Sequence, residues 1–80
     1  NKADAQPVNI KQLNEQFQEG EEITPERLIE AGLINRKKGP AKILGEGELT
    51  VKKLSISGIK VSKGAREQIE KMGGAVKDIN

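Results

Sequence analysis

Apolar residues recur at two different spacings along the chain, and the spacings separate helices from strands. Ile10, Leu13 and Phe17 fall on one face of a helix. Asn9 is its expected N-cap, Gln12 stands at the reciprocal capping-box position, and Val8 and Leu13 flank the start as a hydrophobic staple. Gly20 is the expected stop. A second helix is punctuated more fully. In TPERLIEAG, residues 24–32, Thr24 caps and Pro25 takes the first helical position, where its missing N–H costs nothing. Ile23 and Leu28 form a second staple, and Glu26 complements the positive end of the helix dipole. Gly32 suits a left-handed C-terminal cap that lets Leu33 close on Leu28.

The pattern then changes period. After the basic turn Arg36-Lys37-Lys38-Gly39-Pro40, two extended stretches are expected, at 41–45 and 52–60. In the second, Leu54, Ile56 and Ile59 alternate with Ser55 and Ser57 as in a half-buried strand, and Gly58 marks a candidate bulge. Ser62 caps a third helix whose inner face carries Ala65, Ile69 and Met72, and Gly73-Gly74 ends it. Residues 75–79 can be a final strand. The order helix, helix, strands, helix, strand predicts a small single α/β domain over residues 8–80. Residues 1–7, NKADAQP, lack periodicity and read as a linker or frayed end.

Composition narrows the chemistry. Phe17 is the only aromatic residue, so the core must be aliphatic. With no Cys and no His, the chain has no disulfide framework, no thiolate metal site, no Ser/His/Asp or Cys/His set, and lacks the commonest general base. No apolar run reaches the length of a membrane span and no signal-peptide pattern opens the sequence, so the expected setting is cytosolic, with no membrane partner.

Charge adds the one functional signal. The net charge is +2, but residues 36–66 hold Arg36, Lys37, Lys38, Lys42, Lys52, Lys53, Lys60, Lys63 and Arg66 against only Glu46 and Glu48. The first 35 residues are acidic. A middle third this basic fits a polyanionic partner, and it also fits a solvated lysine-rich surface.

Other candidate sites fail on their spacing. Gly45-Glu46-Gly47 is followed by Glu48, Leu49 and Thr50, not by the Lys and Ser/Thr of a phosphate-cradling loop, and the glutamates would repel phosphate. Its expected role is a tight turn. Glu19, Glu21 and Glu22 lack the spacing of a metal site on one element and read as a solvated helix end. Neither an enzyme, a cofactor nor a metal is expected. The nine cations lie in turns, along strands and at a helix start, positions that suit phosphate contacts. With no aromatic face for stacking single-stranded bases, the implied mode is recognition of folded RNA by shape and backbone.

The chain resembles the C-terminal half of the bacterial-type large-subunit ribosomal protein L-fifteen family. The resemblance is carried by Lys42-Ile43-Leu44-Gly45, Gly47, Leu49, Leu54 and Ile56, then by Val61-Ser62, Ala65, Ile69 and Gly73. Upstream, VNI with Leu13 and the phrase ITPERLIEAGLI look like the same family's approach to that motif. It covers about residues 7–76 and departs from the family pattern around Gly58-Ile59-Lys60. The resemblance implies an irregular superhelix of β–β–α units, shared with the eighteen-e ribosomal proteins, without the family's N-terminal arm. It further implies a structural role in the large subunit, with large-subunit rRNA and neighbouring ribosomal proteins as partners, in the cytoplasm, and a monomer when isolated. The nine cations are then the candidate RNA contacts, and Gly32, Gly45, Gly47 and Gly73 the structural turns. The competing expectation is a protein–protein interaction module that uses the acidic first third against a basic partner.

Overall fold

Strands of the chain alternate strictly between two sheets. The computed structural model describes residues 5–77. Its elements run β1 (Gln6–Asn9), α1 (Ile10–Gln16), β2 (Glu22–Ile23), α2 (Pro25–Glu30), a single 3₁₀ turn (Arg36–Lys38), β3 (Ala41–Leu44), β4 (Ser55–Ser57), β5 (Lys60–Val61), α3 (Lys63–Lys71) and β6 (Ala75–Lys77). One sheet has the order β1-β3-β5, the other β2-β4-β6, and every pair is parallel. Parallel neighbours need long crossovers. Here each sheet supplies the crossover of the other, so the chain winds as a three-turn coil with helices in its corners. This is the superhelix of short strands and helices that the resemblance implied.

Register explains which residues make the core. Ile43 pairs with Val8 on one side and Val61 on the other. Ile56 pairs likewise with Ile23 and Val76. Val8, Ile43, Ile23 and Ile56 are fully buried, and Val61 and Val76 pack against the same cluster. The core is completed by Ile10 and Leu13 from α1, Phe17 just beyond it, Leu28 from α2, Ala41 from β3, Leu49, Leu54 and Ile59 from the connecting segments, and Ala65 and Ile69 from α3. No polar or charged residue among those described is buried. Each buried Leu or Ile is worth roughly 1.5–3 kcal/mol of hydrophobic transfer.

Helix ends follow the sequence closely in α2 and α3. Thr24 Oγ1 accepts from the Arg27 N–H at 3.3 Å, and Ser62 Oγ from the Ala65 N–H at 3.2 Å. Both helices close in Schellman fashion: Leu33 N–H donates to Leu28 C=O at 3.0 Å, and Gly74 N–H to Ile69 C=O at 2.9 Å. In α1 only half of the expected reciprocal cap is bonded. Gln12 Oε1 accepts from the Asn9 N–H at 2.8 Å, while Asn9 Oδ1 is buried without a hydrogen-bond partner.

Three expectations need correction. Gln6 and Pro7, assigned to a frayed end, form the start of β1, where Gln6 N–H donates to Pro40 C=O at 2.8 Å; residues 1–4 of that segment lie outside the described residues. Helix α1 ends at Gln16, with Phe17 extended, rather than running to Gly20. The single strand expected at 52–60 is two strands in different sheets. Gly58, with φ of 73°, turns the corner from β4 to β5 instead of forming a bulge. The final strand is found as expected over Ala75–Lys77, and positions 78 and 79 of its expected span lie outside the described residues.

Candidate nucleic-acid interface

Sheet β1-β3-β5 organises most of the basic residues. Alternation along β3 buries Ala41 and Ile43 and turns Lys42 outward. Lys60 on β5 is exposed too, and the parallel register sets it directly against Lys42. Like charges placed opposite one another oppose pairing. Lys37 and Lys38 sit in the 3₁₀ turn that leads into β3, and Lys63 opens α3 just after β5. Strands β3 and β5 run the same way, so the lysines follow the strand direction from the turn, across the sheet, to the helix start. Among the described residues none of these five lysines is in an ion pair.

Lys52 and Lys53 form a separate pair on the approach to β4, in the other sheet. Their backbone is held from both sides: Gly20 N–H donates to Lys52 C=O at 3.1 Å, and Lys53 N–H to Met72 C=O at 3.0 Å. Lys53 has φ of 62°, and it is the single non-glycine with positive φ among the described residues. A left-handed L-residue costs about 1–2 kcal/mol. The two hydrogen bonds hold it in place and leave both side chains exposed.

The two arginines behave differently. Arg36 makes a bidentate ion pair with Glu26, with Nη2 to Oε1 at 2.8 Å and Nη1 to Oε2 at 3.1 Å. Hydrogen bonding and then charge attraction hold the Glu26 carboxyl below its ordinary pKa and the Arg36 guanidinium above its own. Arg66 is half-buried on α3 with Nη1 3.9 Å from Glu70. Neither guanidinium is simply open to an incoming phosphate, unlike the lysines.

Of the four glycines singled out, Gly32, Gly47 and Gly73 have positive φ, as turns require. Gly45 does not. It is small because the start of α3 lies against it: a Cβ there would meet Ala65 N at 2.8 Å. The same kind of contact makes Gly74 indispensable, since a Cβ there would come within 2.3 Å of the Leu54 carbonyl oxygen. Residues 45–47 are therefore wedged between helices. On the other side, the aliphatic stem of Lys11 packs over Gly47, whose added Cβ would lie 3.0 Å from Lys11 Cβ. Lys11 thus stands beside the basic segment although it is remote from it in sequence.

Three side-chain amides fix the connecting loops, and sequence reasoning missed all three. Gln6 donates through Nε2 to Asn35 C=O at 2.9 Å and Gly39 C=O at 2.7 Å, and accepts at Oε1 from Asn35 N–H at 2.9 Å. Asn14 donates to Glu48 C=O at 2.8 Å and accepts from Thr50 N–H at 2.8 Å. Gln68 accepts from Leu49 N–H at 3.1 Å and donates to Gly47 C=O at 3.0 Å. Loops without strand partners thereby satisfy their backbone groups. Their only sequence signal was that a polar residue on β1, α1 or α3 was an amide rather than a charge.

The described residues hold no cluster of three or more potential metal ligands. Among the described residues no helix is long and apolar enough to cross a membrane. What the geometry offers is an exposed row of lysines over a core that is aliphatic except for Phe17. The sequence model of ribosomal proteins 50S-L15, 50S-L18e and 60S-L27a matches residues 7–77. The chain belongs to this family. Its members are structural proteins of the ribosome and not enzymes. The match takes in the relatives named together by the sequence resemblance and does not single out the bacterial type.

Proposed function

We propose that this chain is a structural component of the large ribosomal subunit that binds large-subunit rRNA through its phosphate backbone and supports subunit assembly. The observation that carries the reading is the Lys42–Lys60 pair, two exposed, unpaired cations in register on one sheet face. A protein gains no stability from that juxtaposition, and a polyanion running across the sheet would neutralise both. Lys37, Lys38 and Lys63 extend the surface along the strands, Lys11 adds a contact near Gly47, and Lys52 and Lys53 reach a second stretch of RNA. Arg36 and Arg66, engaged with Glu26 and Glu70, contribute less to phosphate binding. The family supports ribosomal RNA and ribosomal proteins as the partners, and the cytoplasm as the place of action.

The acidic first third is a weaker candidate for the main binding surface. Glu21 and Glu30 both lie against Arg27, and Glu26 is tied to Arg36, so part of that charge is neutralised within the chain. Short edge strands carrying Pro7 and Lys60 protect against edge-to-edge pairing, which supports a monomer in isolation.

The test is a salt titration of binding to large-subunit rRNA fragments. Lys42→Glu/Lys60→Glu is expected to weaken binding and to flatten the log–log salt dependence by about 0.7–0.9 for each lost phosphate contact, the range for single strands and duplex DNA. Unchanged affinity and slope would refute the assignment.

A further inference from the structure

Arg36, held by Glu26, lines a groove that phosphate contacts alone leave unexplained. The groove is widely open to solvent, has a volume of about 670 Å³ and runs between the end of α2 and the 3₁₀ turn. That volume is within the ~300–1,000 Å³ of ordinary small-ligand pockets. Its apolar wall comes from Ile29, Leu33 and Ile34, all half-buried, and Ile29 lies outside the core cluster. Arg36, Lys37 and Lys38 form the cationic rim. The floor is rigid, because Gln6 bonds Asn35 and Gly39 across it.

A bidentate carboxylate uses donors in the plane of a guanidinium and leaves its two faces free. It also stops the plane from rotating. Glu26 therefore does two things to Arg36. It weakens it as a phosphate anchor, and it presents it as a fixed, flat surface, with the Arg36 side chain 65% exposed. Flat guanidinium surfaces stack on unpaired bases. In a chain whose one aromatic residue is buried in the core, this is a stacking surface that needs no aromatic ring.

We propose that this groove holds one unpaired nucleotide of the bound RNA. The base lies against the Arg36 guanidinium and the aliphatic wall, and the flanking phosphates meet Lys37 and Lys38. The apolar wall and the cationic rim are complementary to the two halves of a nucleotide, and a fully paired helix would leave the wall uncovered. The inference rests on the RNA-binding reading above and specifies what it recognises.

The test compares two RNA hairpins that differ only by one bulged nucleotide, and reads the ratio of their affinities. Taking that ratio cancels the general effect of net charge. The wild-type protein should prefer the bulged hairpin by about 5- to 150-fold, the worth of one stacked base. Arg36→Lys keeps the charge and loses the plane, so the ratio should fall towards one. Glu26→Gln releases the plane, so the ratio should fall as well, even though the protein becomes more cationic. Lys63→Ala, which lies outside the groove at the start of α3, should weaken both hairpins alike and leave the ratio in place. A wild-type ratio near one, or a ratio that survives Arg36→Lys or rises with Glu26→Gln, overturns the nucleotide site while leaving backbone binding intact. Absence of binding to either hairpin and to large-subunit rRNA fragments overturns the RNA-binding reading and this inference with it.

Discussion

Lys42 on β3 and Lys60 on β5 stand directly in register across a parallel strand pair, both exposed and both without an ion-pair partner among the described residues. The pairing sets stability against binding. Lys60→Glu turns a like-charge pair into an opposite-charge pair. It is expected to raise stability by up to about 1 kcal/mol in a denaturant melt and to weaken RNA binding. A variant that loses both stability and binding would mean that the lysines have a structural role.

Lys53 makes a similar trade through its backbone. Glycine adopts φ of 62° without the clash an L-residue suffers there. Lys53→Gly should therefore stabilise the fold by about 0.5–1 kcal/mol, the relief of left-handed strain less the entropy cost of glycine. RNA affinity should fall because a cation is gone. Thermal melts and binding titrations on the same variant check both signs.

Three glycines are expected to respond in opposite directions. Gly64 lies in the first turn of α3 with no atom within 4 Å of an added Cβ, so Gly64→Ala should stabilise by about 0.5–1 kcal/mol. Gly74→Ala drives a methyl into the Leu54 backbone, and Gly45→Ala into the backbone of Gly64 and Ala65. Both should destabilise, Gly74→Ala more severely, by several kcal/mol, because the obstacle is backbone that cannot turn aside. Equilibrium unfolding of the three variants gives the ranking.

Asn14 is expected to govern the 45–54 loop. Asn14→Ala removes the acceptor of the Thr50 N–H and should cost about 0.5–1.5 kcal/mol. Its signature is local: faster amide hydrogen exchange at Thr50 and Val51, the two amides that share Asn14 Oδ1. Exchange in α2 should stay as it was.

Acid should release the Arg36 guanidinium. The folded-state pKa of Glu26 is depressed by its hydrogen bonds to Arg36, then by charge. A carboxyl of this kind contributes stability that is fully present above the unfolded value, roughly 4.3, and is lost as pH falls through the lower folded value. The pair is thus intact at neutral pH. Titration of the Glu26 side-chain resonance should show a midpoint below the ordinary glutamate value, moving back up in Arg36→Ala.

Much of the helical framework was legible because its signals are local. Thr24-Pro25, Ser62, and the Gly32 and Gly73 endings each depend on neighbours within a turn or two. Strands β1 and β2 were not legible. Gln6–Asn9 and Glu22–Ile23 are too short to show a period, and they are strands only because Ala41–Leu44 and Ser55–Ser57 pair with them from more than thirty residues away. The same non-locality hid the split of 52–60 into two sheets, since Leu54, Ile56 and Ile59 all face the core whichever sheet they join. For the candidate interface, composition pointed to the basic segment 36–66. It could not show that Lys42 and Lys60 are neighbours, that Arg36 is held by Glu26, or that Lys11 folds back beside Gly47.

Backbone amide shifts of the ¹⁵N-labelled protein, followed while a large-subunit rRNA fragment is added, test the central claim most directly. The account predicts that the largest changes fall on Lys37, Lys38, Lys42, Lys60 and Lys63, with a second set at Lys52 and Lys53, and that they reverse as salt is raised. Changes confined to the acidic surface of α1 and α2, or none at RNA concentrations that saturate other basic ribosomal domains, would contradict it.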